Sequence, residues 1–239
     1  MGFNWWLKLI KMGIGSKLGI FSQSGNSSFN NFSLDFDGSN DNVTFTDVTY
    51  DGEFTFSFWI KPEGISPTDN RYIAGKNSSA SDYIHLARTT QILLDINGSS
   101  ITFYTTEDGN AIELNVWNNV VVTRNGSSIV KAFRNGVAFG EATGSLSGDF
   151  DLGYLGGTNG RHYIGLMDEV ALWKDSDQSA NAERIYNGGV IRNLIGLLDD
   201  DPTYWYRFEE GSGTTANNTI NVGEGTGTIN GATYSTDTP

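Results

Sequence analysis

Cysteine is absent from the 239-residue chain, which excludes a disulfide framework and any thiolate zinc site, so stability has to come from buried side chains. Only 4 prolines occur, and no collagen-like or coiled-coil period runs through the sequence, which argues against fibrous structure. No stretch approaches the ~20 apolar residues that a membrane-crossing helix needs. Cations are scarce: 15 Lys and Arg stand against 28 Asp and Glu, a net charge of -13. Lys8, Lys11 and Lys17 fall in residues 1–34 without a single acid, so the remainder is more acidic still. That surplus repels phosphate backbones, and nucleic acid is not an expected partner of the main domain. The two histidines, His85 and His162, lie far apart and in no nucleophile-elbow or metalloprotease pattern, so each reads as a surface or strand residue.

What is present is the vocabulary of short strands and tight turns: 30 glycines and 13% aromatic residues. Val43-Thr44-Phe45-Thr46 and Phe54-Thr55-Phe56-Ser57-Phe58 alternate apolar with small polar residues, the period of a half-buried strand. Asp51-Gly52, Asn97-Gly98, Asp108-Gly109, Asn125-Gly126 and Asn135-Gly136 tolerate positive φ and predict two-residue hairpins between antiparallel neighbours. One helix is predicted near residues 179–187, with Gly188-Gly189 suited to a left-handed cap. The expectation is an all-β sandwich, a class that reaches this length as a single domain.

Several phrases resemble the laminin-G-like, concanavalin A-like domains. They are Leu34 to Val43, the acidic Gly165-Leu166-Met167-Asp168-Glu169-Val170-Ala171-Leu172-Trp173, the strand Phe54 to Pro62, Val116 to Thr123, the hairpin Phe133 to Val137, and the helix Ala182 to Gly189. The resemblance implies a concanavalin-A-like jelly-roll β-sandwich over residues 34–239, used mostly for binding and display. Tyr204 to Thr215 resembles the strand that usually opens such a domain, which predicts a rearranged order with the last strand in the place of the first.

The same fold hosts glucanases, whose retaining chemistry needs two carboxyl groups about 5 Å apart. On a regular strand, adjacent acids face opposite sides. Asp168 and Glu169 are therefore expected to fail that test, as are Glu209 and Glu210, and no enzymatic activity is expected. In calcium-binding relatives the regions resembling Asp37 to Asp41 and Asp168 come together, which implies a calcium site using Asp37, Asp41 and Asp168. Oxygen-rich residues of this kind suit calcium. The other reading takes Asp37-Gly38-Ser39-Asn40 simply as a turn whose side chains bond their own backbone. Tyr72, Tyr83, Tyr104, Tyr154 and Tyr163 are the candidates for glycan contact, while Trp59, Trp117, Trp173 and Trp205 are expected in the core. The Asn-x-Ser/Thr triplets at Asn42, Asn77, Asn97, Asn125 and Asn217 read as chance products of an Asn-, Ser- and Thr-rich chain, with glycosylation as the other reading.

Residues 1–21 form a separate unit, joined by a polar linker at 22–33. Phe3, Leu7, Ile10 and Ile14 recur at helical spacing, with Trp5 and Trp6 beside them. A secretory signal and a membrane-surface helix are two readings. The preferred one is an amphipathic arm that docks on the sandwich or on a neighbouring subunit, since exposed apolar patches mark interfaces. Gly231 to Pro239 resembles lectin-like domains in structural proteins of marine bacteriophages. The leading expectation is thus a virion surface protein, a capsid decoration or tail-associated subunit, that assembles with other virion proteins and as a homo-oligomer, with glycan contact as a further role. The alternative is a calcium-dependent carbohydrate-binding module of a cell-surface adhesin, extracellular rather than virion-borne.

Overall fold

The computed structural model describes residues 29–65, 71–76, 81–105, 109–140, 144–158 and 160–239. Two eight-stranded antiparallel sheets face each other. With strands numbered in chain order, the first runs β10 (Val137–Ala138), β9 (Val130–Arg134), β8 (Asn118–Arg124), β3 (Phe54–Pro62), β14 (Ile164–Lys174), β1 (Ser33–Asp37) and β18 (Thr233–Ser235). Its eighth strand, β15 (Tyr204–Tyr206), also lies against β14. The second sheet runs β16 (Thr215–Ala216), β17 (Gly227–Asn230), β2 (Asn42–Tyr50), β11 (Phe150–Leu155), β4 (Arg71–Gly75), β5 (Tyr83–Arg88), β6 (Gln91–Ile96) and β7 (Ser99–Tyr104). A small ribbon of β12 (Gly157–Thr158) and β13 (Arg161–His162) stands beside β4.

Alternation along the strands fills the interior. Phe54, Phe56, Phe58 and Ile60 of β3 meet Val43, Phe45 and Tyr50 of β2 and the aliphatic residues of β5 and β6. Each such side chain contributes about 1.5–3 kcal/mol by leaving water. The odd residues of β3, Thr55, Ser57 and Trp59, are buried as well, because the outer face of the first sheet is itself covered. There the helix α1 (Ala182–Tyr186) and the segment after it bring Ile185, Leu194 and Leu198 onto Val121, Ala171, Trp173 and Trp205. Trp59 joins this layer by packing against Tyr186 at 5.8 Å. The helix ends on Asn187, whose left-handed φ of 51° and amide bond to Glu183 O form the cap one residue before the glycines. Trp117 departs from expectation: it is half-buried and its indole N–H donates to Asp237.

Among the turns, Asn97-Gly98 and Asn135-Gly136 close hairpins with φ of 51°/80° and 50°/77°. Asp51-Gly52 does something else. It carries the chain from β2 in one sheet to β3 in the other, and the buried Arg124 holds it by donating to Gly52 O, Tyr50 O and Gly148 O. Asn125-Gly126 lies in a five-residue connection from β8 to β9, and Asp108 falls outside the described residues.

The C-terminal quarter contributes to both sheets. Strand β15 is inside the sandwich but does not take the place of β1. The two share one edge of β14, β1 against Ile164 to Met167 and β15 against Val170 to Leu172. The closing strand is β18, paired with β1, and the preceding β17 joins β2 in the other sheet.

Candidate functional site

The outer face of the second sheet carries the chemistry. Ile73, Ile84 and Leu86 point into the core, so alternation sends Tyr83 and His85 of β5 to the opposite face, and register sets Tyr72 beside His85. The three rings stand nearly parallel. Tyr72 and Tyr83 are 4.6 Å apart at 11°, Tyr72 and His85 5.5 Å at 7°, and Tyr83 and His85 5.3 Å at 6°. Exposed Arg161, delivered by the β12–β13 ribbon, places its guanidinium 5.4 Å from the Tyr72 ring centroid and donates to the Tyr72 hydroxyl at 2.6 Å. Tyr154 of β11 completes the cluster opposite Gly75, where a Cβ would stand 2.7 Å from its hydroxyl.

Electrostatics follow from this enclosure. Burial, and secondarily the Arg161 charge, pull the His85 pKa to about 4, so the imidazole is neutral at pH 7. His85 is 2% exposed and neither ring nitrogen has a hydrogen-bond partner. Burial and the nearby Asp95 push the Tyr83 hydroxyl up to about 12. Behind the rings, Asp82 and Asp95 are buried and accept from the amides of Asn97 and Gly98 at the β6–β7 turn. Lys76 is paired with Asp151 at 2.6 Å.

Of the tyrosines singled out in the sequence, Tyr72, Tyr83 and Tyr154 are brought together here. Tyr104 stands apart at the far edge, 54% exposed, and Tyr163 is fully buried against Phe36 with its hydroxyl on Leu166 O. His85 was readable only as a strand residue; its place two positions after Tyr83 was the available signal.

The acidic phrase overturns one expectation. Asp168 faces the covered side of the first sheet, opposite Trp59, and the register slips before Ala171. Glu169 takes φ of 48° in this bulge and turns to the same side, where it accepts from Trp205 Nε1 at 2.7 Å and Arg207 Nε at 2.9 Å. The adjacent acids thus share a face after all. Both are buried. Burial raises both carboxyls: Asp168, with the charge of Glu169 added, stands well above the usual carboxylate range, while at Glu169 the Arg207 charge and the bonds from Arg207 and Trp205 offset part of the rise, so Asp168 is the one that keeps a proton. The Asn30 side chain faces Asp168, yet neither Asp168 Oδ2 nor Asn30 makes a hydrogen bond of normal geometry.

The three expected calcium ligands do not converge. Asp37 N donates to Asp41 Oδ2 at 2.8 Å and Ser39 N to Asp37 Oδ1 at 2.7 Å, the self-bonded turn. Asp37 pairs with Ile164, four positions along β14 from Asp168, a separation of about 13 Å at strand rise. Among the described residues no group of three His, Cys, Asp or Glu side chains is arranged to hold a metal. Phe3, Trp5, Trp6, Leu7, Ile10 and Ile14 lie outside the described residues. Among those described, no helix is long and apolar enough to cross a membrane.

Cavities also lie away from the aromatic face: one of about 480 Å³ wraps the β9 edge around Phe103, Ala132 and Phe133, and another of about 580 Å³ lies between Thr46, Thr49 and Tyr204.

Comparison with known proteins agrees with the architecture. A candidate carbohydrate binding protein from Bacteroides ovatus superposes with a TM-score of 0.68 at 18% identity, over 87% of this chain and 61% of its own. This chain therefore spans less than two thirds of that protein's length. A native heptameric SAP-like pentraxin from Limulus polyphemus gives a TM-score of 0.50 at 16% identity, over 73% of this chain and 91% of its own. Domain 4 of AbnA, an extracellular arabinanase from Geobacillus stearothermophilus in complex with arabinotriose, gives 0.50 at 16%, over 64% and 76%. At such identities the likeness shows the fold alone. No curated protein matches the chain. The laminin G family model described as the Concanavalin A-like lectin/glucanases superfamily matches residues 37–182, more than half of the sequence, and it is to this family that the chain belongs.

Proposed function

We propose that the chain is a non-catalytic, lectin-like module that holds a glycan on the outer face of its second sheet. The observation that carries this reading is the set of near-parallel rings, Tyr72, Tyr83 and His85, with exposed Arg161 beside them. Few polar groups on an aromatic floor are the usual make-up of a small-ligand site. Carbohydrate also figures in the descriptions of two fold neighbours, the Bacteroides protein and the arabinotriose-bound domain. The paired acids Asp168 and Glu169 offer no catalytic alternative, being buried under the covered face of the first sheet, with Glu169 held by Arg207.

A glycan array on the folded chain, with and without chelator, tests this. Binding is expected, and Tyr83→Ala should weaken it on the order of tenfold without shifting the melting temperature by more than a few degrees. Loss of binding in chelator would assign a divalent cation a part in it. Silence of the folded wild-type chain across the array would sink the reading.

A second reading makes the chain a virion surface protein that assembles through residues 1–21. It rests on the sequence of that segment, where Phe3, Leu7, Ile10 and Ile14 recur at helical spacing beside Trp5 and Trp6. Deleting residues 1–21 should leave the melting temperature and glycan binding intact and abolish assembly with virion proteins or with further copies. Normal assembly of the truncated chain would remove the docking role.

A further inference from the structure

Neutral sugar recognition leaves one feature of the aromatic face without a use, Arg161. Its guanidinium is exposed and pinned against Tyr72 by one hydrogen bond and a ring contact, and among the described residues it has no carboxylate partner. Among the described neighbours, Lys76 is paired with Asp151, and Asp82 and Asp95 accept from backbone amides. On a chain of net charge -13, an unanswered cation is no by-product of a basic surface.

Resting on the glycan reading above, we propose that this face selects acidic saccharides of the uronate type. The carboxylate meets Arg161 and the pyranose ring lies against half-buried Tyr83. Arginine suits this task because its planar fork matches a carboxylate with two parallel hydrogen bonds. Held already by Tyr72, the guanidinium loses little freedom on binding. The overall negative charge does not forbid an anionic ligand, since at physiological salt charges more than about 8 Å away are largely screened and the local cation dominates.

The test uses the full chain with two probes of one backbone: oligogalacturonate, and the same oligosaccharide after chemical reduction of its carboxylates to alcohols. Titration calorimetry should show the acidic form binding at least about tenfold tighter, a preference that shrinks as salt rises. Arg161→Gln should bring both probes to the affinity of the reduced one, and Arg161→Lys should restore part of the preference, with unchanged melting temperatures for both variants. If the wild-type chain binds the reduced probe as tightly as the acidic one, selectivity for acidic sugars is wrong while the glycan reading survives. If it binds neither probe nor any other glycan, both fall.

Discussion

At the scale of single residues, His85 sets a pH dependence that can be worked out in sign. Its folded pKa of about 4 lies below the ordinary 6.5, because burial and Arg161 disfavour the imidazolium. Below pH 6.5 the unfolded chain takes up a proton that the fold refuses, so stability falls as pH drops from about 6.5 toward 4. The loss is on the order of 3 kcal/mol if the full shift operates. His85→Phe keeps the ring stack and removes the titration, so urea unfolding of the variant should be flatter than wild type across that window; parallel curves would contradict the assignment. The tyrosines of the site were visible in the sequence as a set, but not which ones gather. Tyr72 and Tyr83 face outward by alternation with core Ile73 and Ile84, but their meeting depends on the pairing of β4 with β5, a choice that no local residue announces.

At the scale of elements, the bulge in β14 is the decisive irregularity. It brings Glu169 round to the face of Asp168 and lets two different strands, β1 and β15, share one edge on either side of it. Arg207 is what makes the buried Glu169 tolerable, through its ion pair at 2.8 Å and its place over the Trp205 ring at 5.0 Å. Arg207→Met should cost about 3–5 kcal/mol in denaturant unfolding, because it strands a buried carboxylate. Adding Glu169→Gln should recover most of that; a double variant as unstable as the single would mean that Arg207 acts through packing instead. The strand itself was legible, since Phe54 to Phe58 alternates apolar with small polar residues and Gly165 to Trp173 resembles a strand of the family. The positive φ of Glu169 was not, because a glutamate carries none of the signals that Gly or Asn would give there.

At the scale of the whole molecule, the all-β class followed from alternation and turn residues, and resemblance added the sandwich and the short helix after β14, whereas the order of the strands was not legible. Which neighbour a strand takes is set by long-range pairing, and the pairs that close this sandwich join residues about 200 apart in sequence, such as Ser33 with Ser235. Resemblance placed Tyr204 to Phe208 inside the fold but could not tell that β18 would be the strand added at the edge. Beyond it, Asp237 reaches across to Lys61 and the Trp117 indole, and its carbonyl accepts from Ser33.

Because β1 and β18 run antiparallel and pair at Ser33 and Ser235, the chain enters and leaves the sandwich at one corner. Ladder hydrogen bonds lie perpendicular to the strands. Tension applied through both ends of the domain would therefore load those bonds singly, peeling the edge open like a zipper, with the Asp237 contacts as the first catch to give way. A tether through one end alone leaves that corner unstrained.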